Sequence, residues 1–259
     1  MANARFMWKN WGVQPGVTIT SSSDATGYAA AAALASVDRS NIWRSGTSTG
    51  NQNVDFDFTS LGAKTITAVA AINYKVHASG GTLKAQYSTG GAFADFGTFT
   101  LTSPNRTNCL IVYSSQAAVT KIRFLFTNTN TVSDFVELGV GFICDSGHDF
   151  TPVGHLVNQR GFTPVDPSPV QYSVGGQRRV YRRPQYLELD AVFPVLRPAD
   201  VATLTDNIYS ETGTATPIVF DLSARQADEI VYGVMPAAVP FAGMNGAQKS
   251  VQFTIEELR

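Results

Sequence analysis

The chain has 259 residues and a formal net charge of -1; hydrophobic residues make up 44% of it and charged residues 15%. This near-neutral balance argues against phosphate-driven nucleic-acid binding, which usually needs a clear positive excess. No apolar run reaches the roughly 20 residues of a membrane span, and the N-terminus lacks the apolar core of a signal peptide. We therefore expect a soluble protein that has neither nucleic acid nor a membrane as partner.

The first predicted element is a short helix in the alanine segment from Ala29 to Ala35. A serine and aspartate cluster precedes it. Because Asp and Thr side chains accept hydrogen bonds from first-turn N–H groups, Asp24 or Thr26 is the expected cap.

Period-two alternation then predicts a series of strands. In VDFDF, Val54 and Phe56 lie on one face and Asp55 and Asp57 on the other. The run 65–76 is almost continuously apolar, as in a central strand that is buried on both faces. Further strands are predicted at 82–88, 121–127 and 136–143, the last with Val136, Leu138, Val140 and Phe142 on one side. Short strands separated by SGG, STGG, SPN and NTNT indicate an antiparallel β-sandwich.

The alternation stops in 145–169, where Pro and Gly recur, and this stretch is predicted to be a connector with one short strand near Leu156. A strand follows at 186–193, and a helix is expected from Pro198 to Gly213. Three strands complete a compact α+β unit. The predicted domains are 1–144, 145–169 and 170–259, and the fold class is mainly β, with one helix in the second domain.

Residues 15–144 resemble the galactose-binding, discoidin-like β-sandwich, a jelly roll. The resemblance rests on the alanine segment, IWRS (Ile42–Ser45), VDFDF, ITAVAAINY, KIRFLF and VELGVGFI. It implies a ligand site on loops at one end of the sandwich, here 21–28, 45–53 and 88–94. Tyr28, Trp43 and Arg44 are the candidate ligand residues, although Trp43 is more typical of a core aromatic residue than of a sugar platform.

Residues 170–259 resemble the ring-forming domain of phage distal tail proteins. The resemblance rests on the segments RRVYRR, YLELDAVFPVL, PADVATL, PIVFDLS, IVYGVM and SVQFTIEEL. The resemblance implies a structural virion protein of the tail tip or baseplate, assembled in the host cytoplasm. Its partners would be copies of itself, in a hexameric or trimeric ring, and neighbouring tail tube, hub or tape-measure proteins. The domain order is the reverse of the usual one, which favours the broader tail-tip or baseplate assignment.

A basic run places four arginines on both faces of a predicted strand: Arg178, Arg179, Arg182 and Arg183. We interpret the run as a subunit interface, since arginines pair bidentately with carboxylates of a neighbouring protomer. Candidate acids are Glu188, Asp190, Glu256 and Glu257. A solvated edge strand and a nucleic-acid contact are the alternatives.

No motif indicates catalysis, a cofactor or a metal. The segment CDSGHD, with Cys144, Asp145, His148 and Asp149, matches no four-ligand zinc spacing even with His155 added. His77 is interpreted as a strand-end residue, and Cys109 and Cys144 as buried free thiols, with a disulfide as the alternative. The leading hypothesis is a non-enzymatic tail protein. The alternatives are an adhesin that binds host surface carbohydrate and an accessory module of a glycan-processing enzyme.

Overall fold

The computed structural model is mainly β, as predicted. It describes residues 4–47, 50–76, 81–99, 101, 109–127, 135–150, 159–172, 178–180, 185–221, 230–235, 241–243 and 249–258. In chain order the strands are β1 Arg5–Met7, β2 Thr18–Ser21, β3 Trp43–Arg44, β4 Gln52–Asp57, β5 Lys64–Lys75, β6 Thr82–Ser88, β7 Ala94–Thr98, β8 Cys109–Val119, β9 Lys121–Thr127, β10 Glu137–Cys144, β11 Gly147–Asp149, β12 Gln159–Val165, β13 Val170–Tyr172, β14 Arg178–Val180, β15 Tyr186–Leu196, β16 Ile218–Asp221, β17 Ile230–Val234, β18 Phe241–Gly243 and β19 Lys249–Glu257.

The helical segments are few. Helix α1 is Ala30–Ala33, and short 3-10 turns cover Trp11–Val13 and Thr59–Leu61. Helix α2 covers 198–212 as α-helix at Pro198–Ala202, π-helix at Thr203–Tyr209 and α-helix at Ser210–Thr212.

Two antiparallel sheets form the predicted sandwich. The four-stranded sheet has the order β3-β10-β5-β8, and the five-stranded sheet has the order β2-β4-β9-β6-β7. Val54 and Phe56 of β4 are fully buried between the sheets, and the ring of Phe56 meets Phe124 edge-on at 5.6 Å. The alternation in VDFDF therefore predicted its buried face correctly.

Strand β10 is buried on both faces, which corrects the prediction of one apolar face. Leu138 packs in the sandwich core, but Phe142 meets Tyr232 of β17 at 6.3 Å. A Cβ on Gly141 would lie 2.6 Å from Phe56, so that position faces the core. Along β10, the side chains that point into the sandwich core change from even-numbered to odd-numbered positions near Gly139. Gly139 lies beside Asn73 of β5, and the positive φ of Asn73, 51°, interrupts the regular alternation of that strand.

A second layer explains this double burial. Strand β1 pairs antiparallel with both β11 and β16. The rings of Phe6 and Phe220 lie 4.4 Å apart in this layer. The hydroxyl of Tyr113, on β8, donates to Asp221 at 2.5 Å.

The chain divides into two compact units, one of Met1–Asp149 with Ile218–Tyr232 and one of Phe150–Pro217 with Gly233–Arg259. The first unit thus includes 218–232, which the sequence-based division gave to the second domain. The predicted domain limits at 144 and 170 stay a prediction. The predicted connector was expected to hold one short strand near Leu156, which lies outside the described residues. Strands β11 and β12 both lie within 145–169, so the described part of this stretch holds more strand than predicted.

The second unit contains the predicted strand and helix. Strand β15 pairs with β12 and β19, and β19 also pairs with β18 and with the last residues of β17. Helix α2 buries Val201, Leu204 and Ile208 and, as expected, ends before Gly213, whose φ is 54°.

Both cysteines are free and buried, as the first interpretation expected. Burial raises the pKa of the Cys109 thiol and raises that of Cys144 to about 11. Neither thiol is therefore ionised near neutral pH.

Candidate ligand-binding site

Two of the three predicted ligand loops lie side by side at one end of the sandwich. Gln52 accepts hydrogen bonds from Ser22 and Ser23 at 2.9 and 2.6 Å. The backbone N–H of Gly46 donates to the Ser23 hydroxyl at 3.1 Å, and a Cβ at Gly46 would meet the Asp24 backbone at 2.6 Å. Close approach at glycine thus holds the two loops together.

Asp24 organises the first of these loops. Its Oδ1 accepts from the Ser21 hydroxyl at 2.5 Å, from the Trp43 indole at 2.8 Å and from the Ala30 N–H at 3.2 Å. The residue that directly precedes α1 is Ala29, which has no side-chain cap bond. Asp24, one of the two predicted caps, therefore accepts a hydrogen bond from the first turn of α1 although it lies six residues before Ala30.

Trp43 is a core residue. Its side chain is fully buried, and its ring lies 5.8 Å from that of Phe126. Trp43 thus cannot present a ring to a ligand, which agrees with the interpretation of it as a core aromatic residue.

Tyr28 and Arg44 lie together at the surface. Tyr28 is 37% exposed, and the guanidinium carbon of Arg44 lies 4.4 Å from the centroid of its ring. Arg44 also donates from Nε to Glu137 Oε1 at 2.7 Å, and Glu137 lies opposite Arg44 in the β3–β10 pair. A cation–π contact and an ion pair thus fix one guanidinium between an aromatic ring and a carboxylate.

Phe135 is a second exposed aromatic residue, two positions before Glu137 in the chain. It is 39% exposed, and the next residue, Val136, is buried and bonds through its backbone to Ser45. Phe135 precedes β10, which begins at Glu137, and neither residue belongs to the buried core of the sandwich. We call Tyr28, Arg44, Phe135 and Glu137 the Tyr28–Phe135 surface. The sequence interpretation missed Phe135 and Glu137; the only signal was their alternation with Val136 and Leu138.

The third predicted ligand loop lies elsewhere. Ser88, at the end of β6, lies opposite Lys121 of β9, and Lys121 lies opposite Asp57, the last residue of β4. The first two loops instead flank Gln52, the first residue of β4. Antiparallel register therefore places loop 88–94 at the opposite end of the sandwich. The expectation that all three loops share one end was wrong.

Asp55 and Asp57 share one face of β4, as predicted, and each is paired with a cation. Arg123 donates to both oxygens of Asp55 at 2.7 Å, and Lys121 lies 2.7 Å from Asp57. Partial burial alone would raise the pKa of Asp57, but hydrogen bonds from Lys121 and Thr59 lower it to about 2. This face of β4 is therefore charged, with each carboxylate neutralised by a cation of β9.

Replacing Lys121 with methionine is expected to raise the pKa of Asp57 from about 2 toward its ordinary value of 3.8. A depressed carboxyl pKa stabilises the fold above the unfolded-state value, and this stabilisation disappears as the pH falls through the folded-state value. The stabilities of native and variant proteins should therefore converge between pH 3.8 and 2. Carboxyl carbon NMR titration measures the pKa, with Lys84→Met as the control. An unchanged pKa in Lys121→Met would contradict the pairing.

The CDSGHD segment forms a turn and strand β11. Asp149 pairs with Arg5 through both oxygens. The described residues contain no group of three His, Cys, Asp or Glu side chains able to hold a metal ion. His77 and His155 lie outside the described residues.

The basic run is only partly described. Arg178 and Arg179 lie in β14, which pairs with β13, and Arg178 is exposed. Arg182 and Arg183 lie outside the described residues. On the facing strand, Tyr172 is 69% exposed. The interface role of the four arginines stays a prediction.

The chain matches no protein-family model and no curated protein sequence. Among solved structures, the CpGH89CBM32-6 module produced by Clostridium perfringens matches 53% of this chain and 100% of its own, at 17% identity and a TM-score of 0.42. Chitosan-binding module 1 from a chitosanase/glucanase of Paenibacillus sp. IK-5 matches 52% of this chain and 98% of its own, at 16% identity and a TM-score of 0.41.

The family 32 CBM from Clostridium perfringens NanJ, solved in complex with galactose, matches 55% of this chain and 99% of its own, at 13% identity and a TM-score of 0.40. The chain is similar to these carbohydrate-binding modules. At TM-scores this low, what they bind remains a property of those proteins. Within the described ranges, no helix has the length and hydrophobicity needed to cross a membrane.

Proposed function

We propose that the first unit binds saccharide at the Tyr28–Phe135 surface. Sugar rings present apolar C–H faces that stack on aromatic rings and hydroxyls that pair with charged groups. The observation that carries the proposal is the Tyr28 ring, which remains exposed although Arg44 fixes it from one side.

The surface is organised before any ligand arrives. Arg44 is held by Glu137, and the Tyr28 backbone is held by Ala25 at 2.9 Å and by Arg44 at 3.4 Å. Binding therefore costs little side-chain ordering. Arg44 and Glu137 have opposite charges, so the pair suits an uncharged sugar whose hydroxyls accept from one residue and donate to the other.

A glycan array probed with the whole chain tests this proposal. Tyr28→Ala is expected to weaken binding to any retained glycan by about tenfold or more, because a stacked aromatic ring dominates such contacts. Tyr172→Ala is the matched control, since it removes a more exposed tyrosine from the other unit. Retention of no glycan, or equal losses in both variants, would refute the proposal.

Self-association is a second candidate, favoured by one feature of the second unit. Glu188 lies directly opposite Glu256 in the β15–β19 pair. Like charges opposed in this way destabilise a sheet unless a cation neutralises them, and an exposed arginine such as Arg178 of another copy suits this role. Sedimentation of the whole chain should then show an oligomer that dissociates at high salt; a monomer at every concentration would refute it. The tail location and the lack of enzymatic activity stay predictions.

A further inference from the structure

Two lysines of the first unit contact an indole ring, whereas other cations of this unit contact carboxylates. Lys9 Nζ lies 4.9 Å and Lys64 Nζ 4.2 Å from the centroid of the Trp11 ring. By contrast, other cations in the described part of the same unit pair with carboxylates, among them Arg5, Arg44, Lys84, Lys121 and Arg123. Two like charges thus share one ring, and no described carboxylate pairs with either.

The turn that carries Trp11 is anchored by its neighbour Asn10. Asn10, which precedes Trp11, is buried and accepts from the N–H groups of Gly12 at 2.8 Å and Ile143 at 3.0 Å. Its amide also donates to Gly141 at 3.3 Å. A buried side chain therefore anchors to β10 the turn that carries Trp11.

The Trp11 indole N–H is itself unpaired. Its Nε1 atom is buried and has no acceptor among the described residues. Buried tryptophan N–H groups usually find a hydrogen-bond partner. Because lysine side chains are long and flexible, they can swing aside and admit an acceptor to the ring edge.

We propose that Lys9, Trp11 and Lys64 form a binding site for an oxyanion, such as the carboxylate or sulfate group of an acidic saccharide. Both ammonium groups lie within 5 Å of the centre of the same ring, so an oxyanion bound at the edge of that ring is attracted by both charges. Binding would relieve their mutual repulsion and give the indole N–H an acceptor.

This site is separate from the Tyr28–Phe135 surface. Lys64 begins β5, whereas Glu137 of that surface lies opposite Lys75 at the end of the same strand. Eleven residue steps along a strand span about 35 Å. The two sites can therefore succeed or fail independently, and Tyr28→Ala should leave oxyanion binding unchanged.

Tryptophan fluorescence of the whole chain provides the test, because Trp8 and Trp43 are buried and Trp11 is only partly so. The probes are sodium sulfate, methyl glucuronate and, as the uncharged control, methyl glucoside. We expect a saturable change with either or both anions, weakened by salt, and none with methyl glucoside. A response to methyl glucuronate alone would show that the site selects an acidic saccharide. A response to sulfate would show that it accepts oxyanions in general.

The deciding variant is Lys9→Gln with Lys64→Gln, which should weaken anion binding by about tenfold or more. The matched control is Lys84→Gln with Lys121→Gln, which removes two charges from carboxylate-paired lysines and should leave affinity within about twofold. Trp11→Phe should abolish the fluorescence response. The proposal would be overturned if neither anion changed the fluorescence of the native protein, or if the Lys9/Lys64 variant bound the anion with native affinity.

Discussion

Replacing Trp43 with alanine should lower the free energy of unfolding by about 3–5 kcal/mol, the usual cost of emptying a fully buried indole site. The ring packs against Phe126, and its N–H donates to Asp24. Its loss would leave a cavity in the sandwich and release the loop that carries Tyr28. Urea denaturation followed by circular dichroism measures the change.

Trp43→Phe separates the ring from its N–H group. Phenylalanine retains most of the apolar volume but leaves Asp24 without the indole donor, so a loss of about 1–3 kcal/mol is expected. A loss below about 1 kcal/mol for Trp43→Ala would contradict its place in the core. Such a result would restore the alternative role of Trp43 as an exposed sugar platform.

Replacing Phe142 with alanine should cost about 3–5 kcal/mol as well, because its side chain is almost fully buried. The partner that matters is Tyr232, which meets the Phe142 ring edge-on at 75°. Phe135→Ala is the matched control: Phe135 is exposed, so its loss should change stability by less than about 0.5 kcal/mol.

A double-mutant cycle shows whether Phe142 contacts Tyr232 in solution. The coupling between Phe142→Ala and Tyr232→Ala is expected to be about 0.5–1.5 kcal/mol, the range for an aromatic pair. Additive losses would mean that Tyr232 does not pack against Phe142 of β10. Equal losses in Phe142→Ala and Phe135→Ala would lead to the same conclusion.

Local alternation was enough to predict most strands of the sandwich. Val54 and Phe56 alternate with two aspartates, and this pattern alone identified their buried face. The second layer was beyond such reasoning, since it joins β1 to β16 across more than two hundred residues. Without that layer, Phe142 could only be assigned to the sandwich core.

The candidate site was predictable in part for the same reason. Tyr28 and Arg44 lie close in sequence, within the segment that resembles the discoidin-like sandwich. Glu137 is 93 residues from Arg44, and only strand pairing brings them together. The position of loop 88–94 likewise depended on the register of β6 against β9, which composition does not specify.

Amide chemical-shift mapping with an uncharged glycan selected on the array tests the saccharide site most directly. Titration into isotope-labelled protein should shift the amides of Tyr28, Arg44 and 135–137 and leave those of 9–11 and 64 unchanged. Shifts confined to Lys9, Trp11 and Lys64, or scattered over the sheet faces, would contradict the assignment of saccharide binding to the Tyr28–Phe135 surface.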